Sequence, residues 1–255
     1  MFAAMRDAGL YLVYMGLESG NEEGLKVLHK QTTVAQNLRA VEILKQLGLM
    51  FEFGFMLFDP SSTLRAIRSN VAFLRAIVGD GSAAAVFCRM LPYDGTPIKD
   101  GLERSGRLRG DVCHPDYDFL DPKVTSLYHT IRQVVDVWGW IHGYRALSPQ
   151  LNWAWNEIAI MERLFPRLAD LPEYKETLRR ITRASNEVLF QVLDDVVLSY
   201  TNDRRHSWTN ATLDAYRRRF LSDLVQQRNG FVERHRQTLM RALHPEMLAL
   251  NEHAR

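Results

Sequence analysis

The stretch Leu10-Tyr11-Leu12-Val13-Tyr14-Met15-Gly16, followed at once by Leu17-Glu18-Ser19-Gly20, decides how this chain is read. Its apolar and aromatic residues form a strand from Leu10 to Gly16, and a turn bounded by glycines closes it. A helical stretch follows from about Asn21. A second begins at Thr33, where Gln36 completes a capping-box pattern ahead of Val34, Leu38, Val41, Leu44 and Leu47. Gly48 stops that helix as its C-terminal cap. Met50 to Leu57 carries Phe51, Phe53 and Phe55 at alternate positions and reads as a second strand, closed by Asp59-Pro60. Ser61, Ser62 or Thr63 caps a helix running to about Val78, and the loop Gly79-Asp80-Gly81-Ser82 leads into a third strand, Ala84 to Leu91. The order β-α-β-α-β predicts a parallel sheet covered by helices.

From about Lys99 the pattern changes. A short helix to Leu108 and a connector rich in Asp, Pro and Tyr (Gly110 to Pro122) precede sequence that is almost wholly helical. Helices are expected over 122–143, 149–165, 172–201 and 209–243, broken at Ser148-Pro149, Pro166, Pro172 and Asn202-Asp203. The expected organisation is therefore an α/β unit over 1–110, a connector over 111–121 and an all-α extension over 122–255.

With 255 residues, 46% of them hydrophobic, the chain has enough apolar surface for a large folded core. The 32 basic and 30 acidic residues leave a formal charge of +2, so no global field recruits nucleic acid, and a nucleic-acid partner is not expected. No window reaches the roughly 18 apolar residues of a membrane span, and the opening residues lack the order of a signal peptide. The expected setting is cytoplasmic. Cys88 and Cys113 are the two cysteines, and neither has a partner at metal-ligand spacing. Cys88 reads as a small buried hydrophobe in the third strand, and Cys113 beside His114 is too small a set for a metal.

Chemistry concentrates at Gly16 to Gly20. A glycine turn at the carboxyl end of a parallel strand lets a ligand approach the backbone closely, with Glu18 as an acceptor and Ser19 as a hydroxyl within reach. The same turn also reads as a tight βα connection with a helix-capping serine.

The run from Met5 to Lys30, with Thr33-Val34-Ala35-Gln36-Asn37 and Ile43-Leu44-Lys45-Gln46-Leu47-Gly48, resembles the second half of a radical S-adenosylmethionine barrel. It is most similar to members that carry a cobalamin-binding domain upstream. The resemblance continues through Gly54-Phe55-Met56-Leu57-Phe58-Asp59-Pro60 and Leu91-Pro92-Tyr93-Asp94-Gly95-Thr96-Pro97-Ile98, and covers roughly residues 5–110. It implies a partial (βα) barrel of three parallel strands, followed by the helical extension. It also implies that Gly16, Glu18 and Ser19 lie near the ribose and methionine moieties of S-adenosylmethionine, and that Gly54 and Asp59 line the next part of the pocket. Arg89 points either into the barrel toward an anionic group or outward to solvent.

Two departures limit what carries over. Phe58-Asp59-Pro60-Ser61-Ser62 stands where many relatives have Gly-Phe-Pro-Gly-Glu, so Asp59 reads equally as a capping aspartate before proline. The family's 4Fe-4S cluster is held by a CxxxCxxC loop that this chain does not contain, so the cluster, and any cobalamin, belong only to a complete protein. The expected function is the C-terminal portion of a radical S-adenosylmethionine enzyme. It contributes part of the pocket for S-adenosylmethionine and for a small-molecule or peptide substrate, and it is inactive without a cluster-bearing N-terminal half or partner chain. On these readings the chain is a fragment, a truncated gene product or a subunit. The alternative is a non-catalytic half-barrel that binds a partner.

The extension offers no catalytic motif. Its tryptophans, Trp138, Trp140, Trp153, Trp155 and Trp208, suggest helix packing, with Trp153, Ile160 and Leu164 as an apolar stripe. The basic runs Arg179-Arg180, Arg204-Arg205-His206 and Arg217-Arg218-Arg219 read as solvated helix faces.

Overall fold

A computed structural model describes residues 1–138 and 146–243. The sequence reading placed nothing before Leu10, yet a short helix α1 (Phe2–Asp7) opens the chain and turns at Gly9, φ +125°, into β1 (Leu12–Glu18). Helices α2 (Glu22–Val27) and α3 (Val34–Gln46) follow. The Asn21 side chain caps α2 by accepting from Gly24 N, and α3 starts with the full capping box between Thr33 and Gln36. Gly48, at φ +66°, ends α3 where a side chain would be strained. Then come β2 (Met50–Phe58) and α4 (Leu64–Val78), which is capped by Thr63.

The sheet is parallel in the order β1-β2-β3, with β3 confined to Cys88–Arg89. The expected strand over Ala84 to Leu91 is thus much shorter than its composition suggests. The reason lies in the helices beyond it. Asn186, fully buried, donates from Nδ2 to the carbonyls of Val78 (2.7 Å) and Ala83 (2.9 Å), and its Oδ1 accepts from Ala85 N (2.8 Å). Ser148 Oγ donates to the Ala85 carbonyl. Side chains from the extension therefore satisfy backbone groups that a neighbouring strand would otherwise take.

After α5 (Pro97–Arg104), the segment read as a connector contains an antiparallel hairpin of β4 (Leu108–Gly110) and β5 (Pro115–Tyr117). The extension comprises α6 (Pro122–Val135), α7 (Leu147–Leu164), α8 (Leu171–Thr201) and α9 (Asn210–Leu243). The helix expected to 143 ends at Val135, and Trp140 lies outside the described residues.

Alternation along β2 assigns its two faces. Phe51, Phe53, Phe55 and Leu57 are buried against the helices, while Glu52, Gly54 and Met56 face the opposite, concave side. Phe55 stacks on Phe73 of α4 at 5.6 Å. Each fully buried phenylalanine contributes about 1.5–3 kcal/mol of transfer free energy. The same apolar core continues without a break into α6, α7, α8 and α9, through Leu127, Trp155, Phe190 and Phe231. Helix α8 packs along α4, where Arg75 pairs with Glu187 (3.0 Å) and Asp194 (2.5 Å) and lies over the Phe190 ring.

Helix α7 packs on β2: Asn156 donates to Glu52, and Trp155 and Ile158 line one cavity with Gly48 to Phe51. That packing overturns the expected stripe. Trp153 is 66% exposed, with Ile160 and Leu164 also exposed, whereas Leu151, Ala154, Trp155 and Ile158 are buried. Trp155 lies about 200° around the helix from Trp153, so burying one exposes the other. Arg179 and Arg180 are solvated as expected, with Arg179 pairing with Glu176, and Arg218 and Arg219 are exposed too, but Arg217 is mostly covered where it pairs with Asp214, and Arg204-Arg205-His206 lies in the loop between α8 and α9. No helix among the described residues is long and apolar enough to cross a membrane.

Candidate functional site

The concave face is assembled from alternate residues of three strands. Tyr14 is paired with Glu52, Gly16 with Gly54, and Met56 with Cys88. Two glycines side by side on adjacent strands leave a floor of bare backbone. A Cβ on Gly16 would stand 2.5 Å from Glu18 Oε1, and one on Gly54 would stand 2.9 Å from the Tyr14 hydroxyl and 3.9 Å from Glu18 Oε2. The Glu18 carboxylate and the Tyr14 phenol therefore border the floor that the glycines open.

Glu18 reaches this position through its own backbone. The β1–β2 register slips between Gly16 and Glu18, and Glu18 adopts φ +64°, a left-handed conformation that costs a non-glycine residue about 1 kcal/mol or more. The Leu17 carbonyl beside it accepts from the buried Asn37 amide of α3 at 3.0 Å. Lys30 pairs with Glu18 Oε1 at 2.9 Å, while the Glu18 side chain is 13% exposed. His29, at φ +53°, terminates α2 and turns the chain so that Lys30 follows. Oε2 has no partner among the described residues, so the carboxylate is oriented at one oxygen and able to accept at the other.

The other expected residues are distributed differently. Ser19 is buried, and its hydroxyl lies within hydrogen-bond distance of Asn70 Oδ1 (3.2 Å) and Asn21 Nδ2 (3.0 Å). Asn70 also accepts from Gly20 N and donates to the carbonyls of Met56 and Leu57. Ser19 therefore holds the turn in shape, and its hydroxyl is occupied there. Asp59 is buried in its own turn, accepting from Ser61 N (2.8 Å) and Ser62 Oγ (2.9 Å); it closes the turn ahead of α4, whose cap is Thr63, so it is not the helix cap weighed from the sequence. Arg89 takes neither of the two expected directions. Its guanidinium sits among the rings of Tyr117, Phe119 and Tyr128 at 3.9, 4.7 and 4.6 Å and bonds to Asp116 and the Tyr117 carbonyl. Burial pushes the Tyr117 phenol well above its ordinary range, against the opposing pull of Arg89.

Cys88, expected as a buried hydrophobe, is exposed on the concave side, with Sγ 3.5 Å from the Phe55 carbonyl. It belongs to the strand that is scarcely paired, so its side is left open. The surrounding protein and then the Glu18 carboxylate hold its thiol pKa above the usual value. Gly16, Glu18 and Gly54 are thus brought together, joined by Tyr14 and Lys30, which sequence reasoning missed. Lys30 lies within the informative run, but its approach depends on the left-handed turn at His29, which carries no glycine to announce it.

The floor fits a ligand that presses against backbone and presents hydroxyl or ammonium donors to Glu18, as S-adenosylmethionine does. The residues do not fit an iron-sulfur cluster: Cys88 and Cys113 lie on separate elements, and no group of three His, Cys, Asp or Glu among the described residues could hold a metal.

No family model matches the chain. In sequence it is similar to uncharacterized methyltransferase PH0819 of Pyrococcus horikoshii, 30% identical over 131 residues that make up 51% of this chain and 28% of that protein. It is also similar to 4'-phospho-dehydrooxetanocin synthase of Priestia megaterium, 35% identical over 68 residues, 26% of this chain and 9% of that protein. The chain thus spans less than a third of either relative. Among solved structures, that of the cobalamin-dependent S-adenosylmethionine radical enzyme OxsB with aqua-cobalamin bound covers 91% of this chain and 40% of its own, with a TM-score of 0.49 and 15% identity. The form with aqua-cobalamin and S-adenosylmethionine bound covers 100% and 40%, with a TM-score of 0.48 and 16% identity. Each of these is a similarity to one part of a longer protein.

Proposed function

We propose that this chain supplies the C-terminal wall of a radical S-adenosylmethionine enzyme and that Gly16, Gly54 and Glu18 form its share of the S-adenosylmethionine pocket. The observation that carries the reading is the paired-glycine floor bordered by a carboxylate whose other oxygen is fixed by Lys30. When bound to a cluster supplied by another segment or chain, S-adenosylmethionine provides the radical chemistry. This chain's residues bind and orient: the floor admits close approach, and Glu18 accepts hydrogen bonds from the ribose hydroxyls or the ammonium group. Met56 and Cys88 continue the wall beyond the floor.

The unpaired outer edge of β1 supports the need for a further segment, because parallel strands are normally covered on both sides. The test is the intact mass and iron content of the protein isolated without oxygen from its native source. A product or stable complex containing a CxxxCxxC segment and bound iron is expected. An iron-free protein that takes up no S-adenosylmethionine would contradict the reading and favour a half-barrel that serves only to bind a partner.

A further inference from the structure

Between the short third strand and helices α6 and α8 lies a cavity of about 350 Å³ beyond the glycine floor, adjoining the proposed site at Cys88. Its walls are mostly apolar: Phe87 and Leu91 from the strand side, Ile131, Val135 and Trp138 from α6 and the turn after it, and Leu189 from α8. Such a volume suits a small organic ligand, and an apolar cavity with a few charged groups at its border is the usual form of a ligand site.

Three charged residues lie on the lining. Arg89 is committed to Asp116 and the Tyr117 carbonyl, although its Nε is buried without an acceptor. Asp136 has a partner of its own. Arg132 is exposed and forms no ion pair or hydrogen bond among the described residues. Arg132 therefore offers a positive charge beside an apolar chamber. Val86 and Cys88 connect this chamber with the concave face: Val86 also lines the smaller cavity containing Tyr14 and Glu52, and Cys88 pairs with Met56 in the concave row.

We infer that this cavity binds a small amphipathic anion, its apolar body among Val135, Trp138 and Leu189 and its carboxylate or phosphate group at Arg132. That the ligand is the substrate of the neighbouring site rests on the function proposed above; that the cavity binds it does not.

The test uses the full chain and 8-anilinonaphthalene-1-sulfonate, an apolar anion whose fluorescence rises on burial, in the absence of S-adenosylmethionine. Saturable binding is expected, with displacement by decanoate and decyl phosphate but not by decanol, and whichever anion displaces better identifies the headgroup class. Arg132→Gln should weaken binding about tenfold, the scale of one lost charge-assisted contact. Val135→Trp should abolish it by filling the chamber, with Leu91→Trp at the exposed rim as the substitute if the first variant fails to fold. Non-saturable fluorescence, equal displacement by decanol, or unchanged binding in a folded Trp variant would overturn the inference. Failure of S-adenosylmethionine binding with these results intact would instead sink only the function proposed for the glycine floor.

Discussion

Gly54 and Glu18 define the account at the scale of single residues. A Cβ at Gly54 meets the far end of an exposed tyrosine, which can swing away, so Gly54→Ala should alter the melting temperature little. The same methyl stands on the floor and should weaken S-adenosylmethionine binding. Gly20 behaves oppositely. Its Cβ would lie 2.3 Å from Phe73 Cβ, inside the core, so Gly20→Ala should destabilise the fold by about 2 kcal/mol or more in a denaturant titration. Glu18→Gln keeps the shape and removes the charge. Because Lys30 is 40% exposed, the lost pair should cost no more than about 1 kcal/mol of stability, and the main effect should fall on ligand affinity. In the sequence, Gly16 and Glu18 stood out as a glycine turn at the end of a strand, which reads equally as a tight βα connection, and Gly54 came only with the family resemblance. The sequence could not show that Ser19 is consumed by Asn70, fifty-one residues away, or that Arg89 is caged by rings from the hairpin and α6.

At the scale of elements, buried asparagines take the place of regular pairing. Asn37, Asn70 and Asn186 each bond to backbone outside their own helices, at Leu17, at Met56 and Leu57, and at Val78, Ala83 and Ala85. Asn186→Leu would leave the Ala83 carbonyl and the Ala85 N–H without a partner, while the Val78 carbonyl still accepts from Gly81 N. At about 1–3 kcal/mol for each unsatisfied group, it should cost at least about 2 kcal/mol, read as a fall in the denaturation midpoint. The third strand was misjudged in length for this reason: its composition permits a strand, but the partner for its first half is a side chain from α8. The capped helices were legible from local signals alone, as the Thr33–Gln36 box illustrates. The exposed face of α7 was not, since periodicity gives a stripe but not which neighbour covers it.

Helix α9 is fastened to the start of α8 through Asp170, which Arg234 first of all holds below the usual carboxylate pKa, against the opposing effect of burial and with a lesser contribution from His235. A depressed folded-state pKa stabilises above the unfolded value of 3.8, and that contribution is lost as pH falls through the lower folded value. Asp170→Asn should therefore lower the melting temperature at neutral pH, and the difference should shrink and disappear as pH falls below the ordinary carboxylate range.

Over the whole molecule, the continuous core from Phe55 to Phe231 makes the helical extension part of what holds the sheet. Composition marked a change of pattern near residue 110, but composition does not report contacts, and Asn186 and Ser148 reach back to the third strand. The concave face remains open along the outer edge of β1, and the cluster chemistry implied by the family resemblance needs thiolates that this chain does not have. Under the proposed function, a further segment or chain would cover that edge and supply those thiolates.

The central claim, that S-adenosylmethionine rests on the Gly16–Gly54 floor, is tested most directly by titrating it calorimetrically into the native iron-loaded assembly containing this chain, wild type against Gly54→Val, with melting temperatures matched. The account predicts saturable binding to the wild type and at least about a tenfold weaker affinity for the variant. Equal affinity for both would show that the ligand does not touch this floor.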